Sequence, residues 1–404
     1  MPLLLVILDG MPDRSLNGKT PLSVAKKPNM DALADLGVNG IMDVVAPGVR
    51  PGSDTSHLAL LGYDPYKYYT GRGPIEAAGV GIEVKPGDVA FRANFATVEG
   101  EGSIFEKVVV DRRAGRIQDT KELIKAIREE VELPVDFYIE RGSGHRAAVV
   151  FRGEGLQAEV SDVDPKVVGA KVKKANALNE EAQKTAEIVN EFVQKVHEVL
   201  DKHPINEERQ KAGLPKANAL LLRGAGIAPR IPSFKDKYNL KLCVIAAAAI
   251  VKGVGAIVGG KTVTPDGATG NKFTDVNAKL KCALRELKHS DVVLLHFKAT
   301  DELGHDGDFD GKREFIEKVD SAFEDLLNLD ACIILTSDHS TPVKTREHTA
   351  DPVPIAMVHE NVRRDEVTKF SEFEAFKGGL CRIRGLDVMN IALDLLDLAK
   401  KFGA

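Results

Sequence analysis

A short segment near residue 340 places one aspartate and two histidines directly after an apolar run. It covers residues 336–350, TSDHSTPVKTREHTA, and it follows ACIIL. Asp338, His339 and His348 are residue types that bind divalent ions, because carboxylates and imidazoles both offer lone pairs. A loop that follows a strand and carries three such side chains predicts a metal site, which needs further ligands from elsewhere in the chain.

Further ligands are available at three other places in the sequence. Asp9 ends the apolar LLLVIL, Ser53 lies in PGSDTSHLALLGYDP, and Asp301 and His305 lie in DELGHDGD. Asp301 and His305 are four residues apart, so on a helical turn both face one side and can bind one ion. Mixed carboxylate and imidazole ligands suit Mn²⁺, Zn²⁺ or Co²⁺ better than Ca²⁺.

A serine beside two metal ions is an arrangement typical of phosphoryl transfer. Two ions a few ångströms apart stabilise both the attacking and the leaving oxygen of the reaction. A serine hydroxyl is a poor nucleophile at neutral pH, and a coordinated metal lowers its pKa. The sequence therefore favours Ser53 as a nucleophile.

Each of these residues also has a structural explanation when it is taken alone. Asp9 can cap a turn after a strand, and Ser53, Asp54 or Ser56 can provide the N-cap of a helix. His57 is interpreted as structural. The occurrence of all four motifs at predicted strand ends or in glycine-rich loops favours a shared catalytic site.

The elements that must position these residues follow an α/β pattern. Continuous apolar strands (LLLVIL, DVVLLHF, ACIILT and PIAMV) alternate with amphipathic helices such as FIEKVDSAFEDLLNL and VMNIALDLLDLAKKF. This pattern predicts a mostly parallel sheet with helices on both faces. Ligand sites of such sheets lie beyond the carboxyl ends of the strands, where Asp9, Asp301 and Asp338 fall.

The middle of the chain has a different pattern. VAFRANFATV and VDFYIERGSGHRAAVVFRG predict hairpin strands, and EEAQKTAEIVNEFVQKVHEVL predicts one amphipathic helix. We predict a smaller α+β domain over residues 87–215, acting in substrate binding and as a lid. It is inserted between the two parts of the metalloenzyme domain, residues 1–86 and 216–404.

Candidate cations for an anionic substrate lie mainly in this insert. Arginine guanidinium groups suit both carboxylate and phosphate, because they can donate two parallel hydrogen bonds. The alternative for any single arginine is a solvated basic hairpin. The candidates inside the insert are Arg112, Arg113, Arg141, His145 and Arg146, and those outside it are Arg223 and Lys298.

Composition bounds the remaining possibilities. The 404 residues carry a net charge of -5, which disfavours a general nucleic-acid binder. The longest apolar stretch, LKLCVIAAAAIVKGVGAIVGG, is interrupted by Lys252 and predicts a strand and a buried helix rather than a membrane span. Four cysteines without a C-x-x-C motif predict buried thiols of a cytoplasmic protein rather than disulfides or a zinc site. The oligomeric state stays open.

The four motifs together resemble signature segments of the alkaline phosphatase superfamily. More narrowly, LDG, PGSDTSHLALLGYDP, DELGHDGD and TSDHSTP…EHT look like those of the archaeal-type cofactor-independent phosphoglycerate mutases. The resemblance covers nearly the whole chain, including GRGPIEAAGVGIEVKPGDVAFRANFAT. It implies an alkaline-phosphatase-like fold and an isomerase of glycolysis and gluconeogenesis that interconverts 2- and 3-phosphoglycerate through a phosphoserine. It also implies two divalent ions (Mn²⁺, Co²⁺, Zn²⁺ or Mg²⁺) and no use of 2,3-bisphosphoglycerate.

The resemblance also implies roles for individual residues. Ser53 matches the phosphorylated nucleophile. One ion would be bound by Asp301, His305 and His348, and the other by Asp9, Asp338, His339 and the Ser53 hydroxyl. The insert departs from the longer bacterial and plant members, whose substrate-binding motifs do not align with it. A metal-dependent phosphatase or a phosphopentomutase is the alternative, because it would share this metal core. A non-enzymatic metal-binding protein would not need the serine.

Overall fold

The computed structural model of the chain describes residues 1–401 and Gly403. These residues form two compact units. The first contains Met1–Tyr68 and Pro232–Ala404, and the second contains Tyr69–Ile231.

Thirteen strands lie within the described residues. They are β1 (Leu3–Leu8), β2 (Val38–Asp43), β3 (Val89–Glu99), β4 (Val108–Asp111), β5 (Asp136–Arg141), β6 (Arg146–Arg152), β7 (Ala219–Ile227), β8 (Leu242–Ile245), β9 (Lys261–Val263), β10 (Val292–Phe297), β11 (Cys332–Thr336), β12 (Val353–Val358) and β13 (Cys381–Arg384).

Fifteen α-helices lie in the same described part of the chain. They are α1 (Pro21–Val24), α2 (Pro28–Leu36), α3 (Ser53–Leu60), α4 (Pro65–Tyr68), α5 (Arg72–Gly79), α6 (Lys121–Glu130), α7 (Gln183–Asp201), α8 (Pro204–Lys211), α9 (Phe234–Tyr238), α10 (Ala249–Ile257), α11 (Val276–Glu286), α12 (Ala299–Asp306), α13 (Phe309–Asp320), α14 (Glu372–Ala375) and α15 (Gly385–Leu395).

The first unit is built on an eight-stranded sheet in the order β13-β2-β12-β11-β1-β10-β8-β9. Strand β12 is antiparallel to both of its neighbours, and the other neighbouring pairs are parallel. The central strands β1, β10 and β11 are buried along their whole length, which explains their uninterrupted apolar sequences. The predicted α/β fold class with a mostly parallel sheet is confirmed.

The second unit contains a five-stranded antiparallel sheet. Strand β3 pairs with β4, β6 and β7, and β5 pairs with β6. Helix α7 buries Val189, Phe192, Val193 and Val196, which is the stripe that its sequence predicts. The core of this unit is formed by residues of its own, between Val89 and Leu222.

The second unit is wider than the predicted insert of residues 87–215. Strand β7 lies beyond residue 215, and it belongs to this sheet because it pairs with β3 from Val89 to Ala96. Helix α5 precedes residue 87 and packs closely on the same strands, with Gly73 against the backbone of Ala90. Strand β7 and helix α5 join this unit through tertiary contacts with β3, and a change of sequence pattern does not reveal such contacts.

The apolar stretch after residue 240 forms a strand and a helix, β8 and α10. Among the described residues, no helix combines the length and the apolar character that crossing a membrane requires. The four cysteines are unpaired thiols, and Cys243, Cys282 and Cys332 are buried as predicted. The prediction is wrong for Cys381, which is exposed on β13 at the edge of the sheet.

Candidate active site

Three neighbouring strands place the predicted metal ligands at one edge of the large sheet. Strand β1 lies between β11 and β10, with Ile7 opposite Thr336 and Leu8 opposite Phe297. All three strands run in the same direction, so the residues that follow them meet at their carboxyl ends. Asp9 follows β1, Asp338 follows β11, and α12 begins two residues after β10.

The structure brings Asp9, Ser53, Asp338 and His339 together in a buried group. The imidazole Nε2 of His339 lies 3.2 Å from Asp9 Oδ1 and 3.3 Å from Asp338 Oδ2. The Ser53 Oγ lies 3.3 Å from the same Nε2 and 3.5 Å from Asp9 Oδ2. Asp9 and Asp338 are fully buried, His339 is 1% exposed, and Ser53 is the most exposed of the four at 7%.

Ser53 does not provide the N-cap of helix α3, so that alternative is wrong. Gly52 occupies the N-cap position, and the backbone N–H of Gly52 donates a hydrogen bond to the Thr55 hydroxyl at 3.1 Å. Ser53 is instead the first residue of the helix, and its hydroxyl points to Asp9 and His339. The cap therefore leaves the Ser53 side chain available for chemistry.

A second group surrounds Asp301. Its Oδ1 lies 3.3 Å from His348 Nε2 and 3.4 Å from His305 Nε2. His348 donates its Nδ1–H to the Pro51 carbonyl at 2.9 Å, and His305 donates its Nδ1–H to the Arg346 carbonyl at 2.7 Å. Both backbone contacts leave Nε2 as the nitrogen directed at Asp301, an orientation suited to metal binding.

The ligand atoms form two compact sets within the described residues. Those of Asp9, Asp338 and His339 lie within 4.8 Å of one another, and so do those of Asp301, His339 and His348. His339 belongs to both sets, and its ring stacks on that of His348 with centroids 3.6 Å apart. His305 contacts Asp301 but lies outside both sets, on a side chain that is 37% exposed.

These residues fit divalent ions. The sets combine carboxylates with imidazoles, which is the chemistry of Mn²⁺, Co²⁺ and Zn²⁺ sites. Asp338 Oδ2 is buried and accepts no hydrogen bond from the described residues. A buried carboxylate oxygen without a donor is costly, and a cation would stabilise it.

Lys298 lies between the two groups. Its Nζ donates to Asp9 Oδ1 at 3.0 Å and lies 2.6 Å from Asp301 Oδ2. Burial lowers the pKa of Lys298, but Asp9 and Asp301 outweigh burial and raise it above its ordinary value. Burial likewise lowers the pKa of His348, and the hydrogen bond to Asp301 reverses this and raises it to about 9. The site thus holds several opposite charges close together.

Two residues of this site were missed in the sequence. His296 is fully buried on β10, and its Nε2 lies 2.8 Å from Asp9 Oδ2. Its signal was the one polar residue inside the apolar run VVLLHF. Thr341 contacts both Asp301 and His339, and its signal was the Ser/Thr-rich TSDHSTP.

The second unit gathers some of the predicted cations but not all. Arg146 lies opposite Asn94, and Arg223 lies opposite Arg92, a cation that the sequence did not indicate. Burial lowers the pKa of Arg223, Asp164 opposes this, and the charges of Arg112 and Arg146 lower it further. The Nε of Arg223 is buried and has no hydrogen-bond partner among the described residues.

The other candidates of this unit differ in their partners. Arg112 donates two hydrogen bonds to Asp164, at 2.7 and 3.2 Å. Burial lowers the pKa of His145, and the charges of Arg146 and Arg113 lower it further. Arg141 instead contacts Asp119 at 3.2 Å on an exposed surface.

Comparisons with known proteins agree on one family. A model of the family described as 2,3-bisphosphoglycerate-independent phosphoglycerate mutase matches residues 34–206. The 2,3-bisphosphoglycerate-independent phosphoglycerate mutase 1 of Archaeoglobus fulgidus is 71% identical over 409 residues, covering 100% of both chains. The solved structure of the cofactor-independent phosphoglycerate mutase of Thermoplasma acidophilum is similar, with a TM-score of 0.75 and 36% identity over 99% of this chain and 100% of that chain. A solved structure from Pyrococcus horikoshii has a TM-score of 0.84 and 41% identity, covering 100% of this chain and 99% of that chain.

Proposed function

This chain belongs to the 2,3-bisphosphoglycerate-independent phosphoglycerate mutase family and interconverts 2- and 3-phosphoglycerate, and we propose that it does so through a phosphoserine formed at Ser53. The observation that carries this proposal is the position of the Ser53 hydroxyl. It lies 3.3 Å from His339 Nε2 and 3.5 Å from Asp9 Oδ2, in a buried carboxylate and imidazole cluster.

The reaction conserves the phosphoryl group. The Ser53 hydroxyl loses its proton and its oxygen attacks the substrate phosphorus in line, so the Oγ–P bond forms. The bond from phosphorus to the glycerate oxygen breaks, and that oxygen takes up a proton. The glycerate turns, and its other hydroxyl loses its proton and attacks the phosphoserine. The phosphoryl group returns to the glycerate, and the Ser53 oxygen regains a proton. The N-terminus of α3, where Ser53 lies, favours the negative charge of the phosphoserine.

Asp9, Asp338, His339 and Ser53 would hold one divalent ion, and Asp301, His305 and His348 would hold a second. Such ions lower the pKa of a bound hydroxyl and neutralise phosphoryl oxygens. Mn²⁺, Co²⁺, Zn²⁺ and Mg²⁺ all remain candidates. Lys298, whose ammonium group contacts Asp9 and Asp301, is proposed to bind the phosphoryl oxygens.

The carboxylate of the substrate needs cations of its own, because the groups around Ser53 act on the phosphoryl end. We propose that the second unit supplies them and closes as a lid, since water would otherwise hydrolyse the phosphoserine. Two observations on Arg223 support this role. Its Nε is buried and has no hydrogen-bond partner in the part of the chain that the structure describes. The charge of Arg146 also acts on the guanidinium group of Arg223 and lowers its pKa. Arg112 and Arg113 are the further arginine candidates, with His145 near the glycerate hydroxyls.

Replacement of these arginines tests the carboxylate proposal. Arg146→Ala and Arg223→Ala should weaken retention of glycerate, so that phosphate release rises relative to mutase activity. Arg112→Ala and Arg113→Ala extend the series. Arg141→Ala is the matched control, because Arg141 contacts Asp119 on an exposed surface. An unchanged ratio and an unchanged KM in every variant would contradict the proposal.

A coupled assay with enolase tests the role of the serine. Ser53→Ala should abolish mutase turnover in metal-loaded enzyme. Ser56→Ala is the control, because Ser56 is a buried serine on the same helix whose hydroxyl has no hydrogen-bond partner in the described part of the chain. Substantial turnover in Ser53→Ala would contradict the covalent mechanism.

We further propose a cytoplasmic location. The four unpaired cysteine thiols support it, because reducing compartments keep thiols free.

A further inference from the structure

Thr341 stands between the two sets of candidate metal ligands. Its hydroxyl oxygen lies 2.6 Å from Asp301 Oδ1 and 3.1 Å from His339 Nδ1. Asp301 belongs to one set, while His339 belongs to both. Thr341 itself is fully buried, so water does not compete for these contacts.

The protons of this three-residue chain have one consistent arrangement. A threonine hydroxyl has a single proton to donate, and an ionised carboxylate only accepts hydrogen bonds. The proton of Thr341 therefore goes to Asp301, and the second contact requires His339 to donate its Nδ1–H to the threonine oxygen. This arrangement leaves Nε2 of His339 as the nitrogen with the lone pair that an ion needs.

Nε2 is also the nitrogen that faces the first set. It lies 3.2 Å from Asp9 Oδ1 and 3.3 Å from Ser53 Oγ. One hydroxyl thus orients a ligand of each set: it selects the tautomer of His339, and it fixes one oxygen of Asp301.

Neighbouring backbone fixes the position of Thr341. Its carbonyl accepts a hydrogen bond from the buried Lys312 Nζ at 2.9 Å, and its N–H donates to the Gly10 carbonyl at 3.3 Å. A Cβ at Gly10 would lie 2.5 Å from the Thr341 hydroxyl oxygen, and a Cβ at Gly304 would lie 2.3 Å from its carbonyl oxygen. Both positions are glycine, which provides the space that Thr341 occupies.

We infer that Thr341 is a positioning residue whose hydroxyl orients His339 and Asp301 together and so supports both metal sites. This inference rests on the proposed function, because it assumes that the two sets bind divalent ions.

The test is Mn²⁺ binding to metal-stripped protein without substrate, measured by calorimetry and by elemental analysis of the bound metal. Thr341→Val replaces the hydroxyl by a methyl group of similar shape. It should weaken both sites, each by about 10- to 100-fold, the usual cost of removing a group that orients a metal ligand. Thr341→Ser keeps the hydroxyl and should bind Mn²⁺ nearly as wild type does.

His305→Ala is the control for a change confined to one site, because His305 contacts Asp301 and lies outside the set around Asp9. It should weaken one site only. Circular dichroism verifies that each variant is folded. If Thr341→Val is not folded, Thr341→Ala removes the same hydroxyl without adding bulk and has the same expected result.

The outcomes separate this inference from the proposed function. Wild-type protein that binds no divalent ion would contradict the two-metal proposal itself. Wild-type protein that binds two ions, beside a Val or Ala variant that binds them equally well or loses only one, would overturn the inference about Thr341. Failure of Thr341→Ser to restore binding would also overturn it.

Discussion

The charge of a single side chain, Lys298, affects both groups of the candidate site. Its ammonium group contacts Asp9 and Asp301, which belong to different sets of ligands. A cation in this position can bind phosphoryl oxygens, but it also repels any divalent ion bound by the same carboxylates. The positive charge of Lys298 should therefore favour catalysis and weaken the binding of divalent ions.

Lys298→Met should separate these two effects. We expect kcat to fall by about 10²- to 10³-fold, the usual loss when one group that stabilises transition-state charge is removed. The affinity for Mn²⁺ should stay the same or increase, because a competing positive charge is gone. Lys344→Met is the control, since Lys344 is an exposed lysine in the loop between His339 and His348. A variant with normal kcat and weaker Mn²⁺ binding would contradict this role.

At the scale of elements, the strand ends were predictable and the contacts between side chains were not. Apolar runs ending at Asp9 and before Asp338 predicted β1 and β11 and the edge of the sheet where they meet. The role of His296 depends on which residue of β1 lies beside it in the sheet, and one sequence does not give that pairing. The same limit applies to Thr341, whose two partners come from α12 and from its own loop.

Helix α11 carries a buried charge that forms no ion pair with an acidic side chain of residues 1–401. Lys279 is fully buried, and its Nζ donates to the carbonyl of His296 at 3.0 Å. Burial lowers the pKa of Lys279 from 10.5 to about 8. The unfolded chain therefore binds this proton more tightly than the folded protein does. Burial of the charged ammonium group therefore destabilises the folded protein. This destabilisation is complete below pH 8 and is lost as the pH rises to 10.5.

Lys279→Met should stabilise the protein at pH 7 by about 1–2 kcal/mol, less than the full value of the pKa shift because the hydrogen bond is also lost. This advantage should shrink between pH 8 and 10.5. Urea unfolding at several pH values measures it, with Lys281→Met as the control, an exposed lysine of the same helix. An advantage that does not change with pH would show that desolvation of the charge is not its cause.

At the scale of the whole molecule, the second unit has the features of an independent folding unit. Its residues are continuous in sequence, its sheet is complete, and its main core cluster contains only its own side chains. The sequence predicted an insert in this region because the pattern of strands and helices changes there. The contribution of β7 depends on pairing with β3, which is more than a hundred residues away in sequence.

A fragment of residues 69–231 should therefore fold alone, with one cooperative unfolding transition by circular dichroism. A fragment of residues 87–215 is the matched comparison, because it lacks β7 and α5. It leaves one edge of β3 unpaired along most of its length and should not fold cooperatively. Cooperative folding of the shorter fragment, or none in the longer one, would contradict this view of the unit.

In the proposed mechanism the phosphoryl group passes through Ser53. The most direct measurement is the intact mass of Mn²⁺-loaded enzyme that is mixed with 3-phosphoglycerate and quenched in acid, followed by peptide mapping. We predict one added phosphoryl group on Ser53 in wild type and in Ser56→Ala, and none in Ser53→Ala. A phosphoryl group on another residue, or active enzyme that never carries one, would contradict transfer through Ser53.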